Sequence, residues 1–337
     1  MTTNSKLKSA EALVATLEQN ARNTDSAGVP IEHVTALRDA GLLAGADAVG
    51  LMEAGRTLAH GCGATAWLAT SFAEAAGVVA KMDKAAAKDV GDALVTPAKL
   101  CKRGRIEGAR DKRLISGVWP AVGGLQHAQW LLLYGLEGDN GRYCALIPAA
   151  EVASEDFIYF GGLRGLRWRS VTLDNVEIPA HRIIAESALD ADVVLLGALL
   201  GTAEGAYADY VRGTKARISG VGGKAVAEFT QVQTRLAESS ADLKGITALY
   251  QDVLVKTAAG QGDSAECARD RAYIARRSVE AVNRLLAQMG AMGLAETNPV
   301  QRRFRDLRTF AAAPGLTWNT VMAAFGRAEL GITKTSD

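Results

Sequence analysis

The order in which hydrophobic texture changes along the chain constrains the fold most. Helical periodicity gives way to short strand-like runs and then returns. From Lys6 to about Lys88, apolar residues recur at helical spacing, with Leu13, Val14 and Leu17 on one face and Ile31, Val34, Leu37 and Leu42 on another. Pro30 suits the first turn of that second helix and Gly41 its end. Gly61 to Met82 is nearly all apolar and reads as one long buried helix or a helix pair. Between about Leu94 and Ile184 the runs shorten. Lys112–Val118, Trp130–Leu136, Tyr143–Pro148 and Val171–Ile178 predict strands, and Gly138-Asp139-Asn140-Gly141 predicts a hairpin turn. Long runs with few breakers follow: Gly197–Lys215, Ala225–Ala259, Ala265–Gly290 and Pro299–Ala312. The expectation is a mainly α protein with a central β domain, divided into a helical unit 1–93, a β unit 94–185 and a helical bundle 186–337.

Composition removes several classes of function. Lys and Arg number 38 against 37 Asp and Glu, so the net charge of +1 gives no electrostatic case for nucleic acid or a membrane surface. Cys62, Cys101, Cys144 and Cys267 lie far apart, and with only four histidines a metal site is not expected. The N-terminus lacks the apolar core of a signal peptide, and the most apolar stretch, Val193 to Ala203, is too short to span a bilayer. A cytoplasmic globular protein is the expectation. No GxSxG, HExxH, P-loop or strand-linked GxGxxG occurs, which disfavours covalent hydrolysis and Rossmann-type dehydrogenation.

Four segments, in this order, resemble the acyl-CoA dehydrogenase superfamily. Arg113–Trp130 (RLISGVWPAVGGLQHAQW) is similar to its flavin-facing strand and loop, with the flavour of the two-component flavin-dependent monooxygenase branch. Gly161–Ile184 resembles the segment that closes the β domain, Tyr210–Glu238 a helix pair of the bundle, and Gln288–Phe310 the QxxGGxGxxxxxPxxRxxRD region. The resemblance implies an N-terminal helical domain, a middle β-barrel-like domain and a C-terminal four-helix bundle. It further implies a homodimer or homotetramer, because a neighbouring subunit completes the flavin site. By the same resemblance Trp119 would form a wall for the flavin ring, beside backbone donors of the Gly123–Gly124 turn. Arg217 would bind a flavin phosphate, and Gln288, Gly290 and Gly293 would let a backbone approach the nucleotide. Each has a plainer alternative: Trp119 as core, the glycines as a helix-end turn, and Arg305–Asp306 as a structural ion pair or cap.

Departures from the family pattern shape the functional expectation. The position eight residues after Asp306, where common acyl-CoA dehydrogenases carry a glutamate base, is Pro314, which cannot take a proton. A relocated base would fall on Asp192, 25 residues before Arg217; its alternative role is a helix cap. In the monooxygenase branch an AAHxxLxWD-like segment corresponds to AAAPGLTWN, so Trp318 fits and Asn319 replaces the acid. His127 is the histidine near the presumed site; it would hydrogen-bond a phenolic or keto substrate, or serve structure alone. The hydroxyl-bearing TGS of the family is Leu166-Arg167-Trp168. The leading expectation is an oxygenase acting on a small or aromatic metabolite with reduced FAD or FMN, delivered by diffusion from a separate reductase. The alternatives are an oxidase with Asp192 as base, and a descendant that binds no flavin because Leu166-Arg167-Trp168 closes the site.

Overall fold

The computed structural model describes residues 3–45, 47–108, 112–155, 160–189, 193–219 and 223–332. Helices α1 (Thr3–Ala27), α2 (Ile31–Asp39), α3 (Ala48–Gly61), α4 (Gly63–Val79) and α5 (Lys84–Val90) come first. Pro30 precedes α2 as its extended cap residue, and Gly41 follows it at φ +68°. The carboxylate of Asp47 accepts the Gly50 amide at 2.7 Å and so caps α3. The apolar stretch after Gly61 is a separate helix, α4, because the single extended residue Cys62 ends one helix and begins the next.

Strands β1 (Val95–Ala98), β2 (Lys102–Glu107), β3 (Lys112–Val122), β4 (Trp130–Gly138), β5 (Gly141–Pro148), β6 (Ser154–Glu155), β7 (Arg169–Pro179) and β8 (Ile183–Ala185) form one mixed sheet. Its path runs β6-β7-β3-β2-β4-β5-β8, with β1 parallel to β4. Among the described strands this path does not close on itself. Asp139 and Asn140 form the expected turn, with Gly138 paired to Gly141. The sheet wraps a core of its own around Trp119, Leu131, Leu133 and Ile147.

Helices α6 (Leu195–Ala216), α7 (Thr230–Ala258), α8 (Ala265–Ala287), α9 (Pro299–Phe310) and α10 (Trp318–Glu329) complete the chain. The helices before and after the sheet share one continuous core. Its tightest seam lies between α3 and α6. Gly197 and Gly201, four residues apart and hence on one face, rest on the backbone carbonyls of Met52 and Arg56, where any Cβ would collide. Among the described residues no helix is long and apolar enough to cross a membrane.

Candidate active site

Where α4, β1, the end of β3 and the C-terminal end of α9 converge lies a cleft of about 160 Å³. Its walls are aromatic. Trp67 meets Trp168 edge to face, with centroids 5.6 Å apart, and Phe160 meets Trp168 at 5.4 Å in the same manner. Phe310 of α9 backs Trp67 at 5.0 Å. Trp168 is only 6% exposed, and its indole N–H has no hydrogen-bond partner among the described residues. Gly123 lies against the ring of Trp168, where an added Cβ would stand 3.0 Å from it. The Thr96 hydroxyl donates to the Gly123 carbonyl at 2.6 Å and fixes this turn. Lys99, largely buried, supplies the charge in the lining and pairs with Glu74 at 2.6 Å.

A loop carries the Trp168 wall, and α9 holds it. The Leu163 amide donates to the buried Asp306 carboxyl at 2.6 Å. Arg305 donates to the Gly161 carbonyl at 2.5 Å and to Asp25 of α1 at 2.7 Å. Burial pushes the Asp306 carboxyl up to about 6, against the lowering effect of the Leu163 amide, with Asp25 raising it further. Arg305 and Asp306 thus join α1, the loop and α9, which extends the simple ion pair or cap expected of them.

The expected site residues separate into groups. Gly123 lines the cleft, and Gly124, at φ +76°, donates its amide to the Leu166 carbonyl at 2.8 Å beside Phe72. Ala313 and Pro314 line the same cleft. Trp119 does not. It is fully buried in the sheet core with its indole donating to the Tyr134 carbonyl at 2.9 Å. Its face is shared with Ile115, and an irregularity in pairing between Trp119 and Val122 instead brings Ala121 to the cleft. His127 sits on a short turn with Nε2 2.9 Å from the Val29 carbonyl, and burial lowers its pKa. It ties the sheet to the first helices and is not in the cleft lining.

Arg217 and Gln288 meet elsewhere, the guanidinium donating to the Gln288 carbonyl at 3.2 Å. Gly290, at φ +59°, has open space around it, whereas Gly293 is packed against Leu286 and Met289. These residues form a second corner, apart from the cleft lining. Trp318 lies on α10 under Arg276, 4.2 Å from its ring centroid, and Asn319 is exposed; neither lines the cleft. Asp192 lies outside the described residues. Trp67, Thr96 and Lys99 were not singled out from the sequence. Trp67 falls within the apolar Gly61–Met82 stretch, and Thr96 and Lys99 precede the first strand expected from the sequence.

Residues 193–315 match the family model for the acyl-CoA dehydrogenase C-terminal domain. The chain is 28% identical, over an alignment of 377 positions including gaps, to the FADH(2)-dependent resorcinol hydroxylase, oxygenase component, of Rhizobium sp. (strain MTP-10005), covering 93% of this chain and 91% of that protein. The fold matches the HsaA monooxygenase from M. tuberculosis with a TM-score of 0.85 at 24% identity, over 100% of both chains. It matches butyryl-CoA dehydrogenase from Megasphaera elsdenii with a TM-score of 0.84 at 16% identity, over 97% of this chain and 98% of that one. In sequence over residues 193–315, and in fold over the whole chain, the protein is similar to members of the acyl-CoA dehydrogenase superfamily. Within it, the similar sequences include oxygenase components of flavin-dependent monooxygenases.

Proposed function

We propose that this protein is the oxygenase component of a flavin-dependent monooxygenase that acts on a small aromatic substrate. The observation that carries the reading is the cleft itself, walled by aromatic rings, with a proline where a proton-abstracting glutamate would stand. The residues present fit a flavin. Trp67 and Trp168 offer flat apolar surfaces, the absent side chain of Gly123 keeps the cleft open beside Trp168, and the orphaned Trp168 N–H awaits an acceptor. Trp168 narrows the cleft without closing it.

Reduced flavin supplies the electrons with which one oxygen atom of O₂ enters the substrate and the other leaves as water. The chain contributes shape and dryness. Trp67, Phe160 and Trp168 exclude water, Thr96 fixes the Gly123 turn, and Arg305 with Asp306 holds the loop behind Trp168. Pro314 has no ionisable atom, so abstraction of a substrate α-proton has no base at that position. Reduced FAD is the favoured flavin, in keeping with the named resorcinol hydroxylase, and a separate reductase delivers it. Assembly as a homodimer or homotetramer would let the Arg217–Gln288 corner serve a neighbouring subunit's cofactor. Division at 93/94 and 185/186 is supported by the change from helix to strand between Val90 and Val95 and back between Ala185 and Leu195. A cytoplasmic setting suits the four free cysteines.

Anaerobic titration with reduced FAD and reduced FMN, read by quenching of tryptophan fluorescence, tests this reading. Saturable quenching is expected, weakened at least tenfold in Gly123→Leu, whose side chain would fill the cleft. Failure of both reduced flavins to bind the unaltered protein would overturn it.

A further inference from the structure

The N-terminal end of α9, opposite the end that meets the cleft, opens on a second cavity of about 360 Å³ against α1 and α6. Arg302, in the first turns of α9, lines it. This residue is 9% exposed, yet its guanidinium makes no hydrogen bond or ion pair among the described residues. Asp306, one turn further along, feels its charge but is bonded to the Leu163 amide. The neighbouring Arg303, also buried, shows what such a group ordinarily requires: it donates to Asp209 at 2.7 Å and to the carbonyls of Ala59 and His60. An arginine keeps its charge at any ordinary pH, and this one turns its guanidinium to the cavity with no protein partner among the described residues, so it is placed to receive an anion.

The rest of the cavity agrees. Its two carboxylates are already engaged, because Arg212 donates to Glu18 at 2.8 Å and to Asp209 at 2.5 Å, and Asp209 also holds Arg303. Arg22 of α1, exposed and in no ion pair among the described residues, faces the same space. Three guanidinium groups line the cavity against two carboxylates, which leaves one positive charge, and the buried Arg303 behind Asp209 adds a second. Side chains of a helix lean toward its N-terminus, so Arg302 reaches back to the positive end of the α9 dipole. Asn298 caps that end by accepting the Val300 amide at 2.9 Å.

We propose that this cavity binds a phosphate-type dianion, with Arg302 and Arg22 donating from α9 and α1 and the α9 terminus adding its field. The ligand is either inorganic phosphate or the phosphate group of a small ester, and the site is separate from the cleft. The test is calorimetric titration of the full-length protein with inorganic phosphate and with ribose 5-phosphate, ionic strength being held constant with chloride. Saturable binding of phosphate is expected, weakened at least tenfold in Arg302→Gln and several-fold in Arg22→Gln. The exposed Arg22→Gln keeps the proposal open to refutation if Arg302→Gln folds poorly. Ribose 5-phosphate binding tenfold tighter than phosphate supports an ester as ligand, and equal affinity supports the free ion. Binding no stronger than that of chloride, unaltered binding by Arg22→Gln, or loss of phosphate binding on saturation with flavin would each overturn the proposal.

Discussion

Glu204 on α6 and Asp306 on α9 are both carboxylates of the helical core, and they hold charge in opposite ways. Desolvation pushes Glu204 upward, but hydrogen bonds from His60 at 3.2 Å and Arg56 at 2.6 and 3.0 Å outweigh it and bring its pKa to about 2. Asp306 is 3% exposed and receives one backbone amide, so desolvation prevails and its pKa rises to about 6. A guanidinium stands one residue from Asp306, but Arg305 bonds Asp25 and Gly161 instead. The charge of a buried carboxyl follows the hydrogen bonds that reach it, not the nearness of a cation in sequence. The two sites serve different ends: Glu204 locks the α3–α6 seam, while Asp306 positions the loop that carries the wall of the cleft.

The largest effect expected from breaking this contrast is at the seam. Arg56→Met leaves Glu204 with His60 as its main cationic partner and costs about 3 to 4 kcal/mol, measurable by denaturant unfolding at pH 7. Because the folded pKa of Glu204 lies below its ordinary 4.5, its contribution is full above that pH and disappears as pH falls toward 2; Glu204→Gln removes this acid-side slope. Asp306 runs the other way. Its folded pKa exceeds the ordinary 3.8, so its contribution is full below about pH 4 and about 3 kcal/mol is lost as pH rises through 6. Stability curves of the protein and of Asp306→Asn should diverge between pH 4 and 6.5 and run parallel above it. The smallest effect on stability, about 1 kcal/mol, is expected for Gly123→Ala, whose Cβ displaces the Trp168 ring by a few tenths of an ångström. The same variant should weaken reduced-flavin binding more than it weakens folding, which separates cleft from scaffold.

The helix–sheet–helix order was legible because burial periodicity is local: the hairpin at Asp139-Asn140, the strands and the long bundle helices fall where the apolar spacing places them. The Gly123–Gly124 turn and Pro314 were legible through resemblance, and both meet at the cleft end of the sheet and bundle. The resemblance implied a cleft role for Trp119, whereas the structure gives its alternative role in the core; two pairing irregularities in β3 decide which residues look into the sheet core, and spacing alone does not reveal them. His127 and Trp318 were misleading for a related reason. A polar or aromatic residue near a motif satisfies whatever group packs on it, here the Val29 carbonyl and the Arg276 guanidinium. Trp67 and Lys99 come to the cleft from α4 and the end of β1 by tertiary packing, which sequence proximity to the motifs could not show.

Oxygen insertion is tested most directly by mixing the protein with chemically reduced FAD, ¹⁸O₂ and a panel of small aromatic compounds, followed by mass spectrometry of the products. The account predicts one ¹⁸O atom in a hydroxylated product, formed without any reductase when reduced flavin is supplied and lost in Gly123→Leu. Flavin reoxidation with no labelled product from any aromatic, or a desaturated acyl product in place of a hydroxylated one, would contradict it.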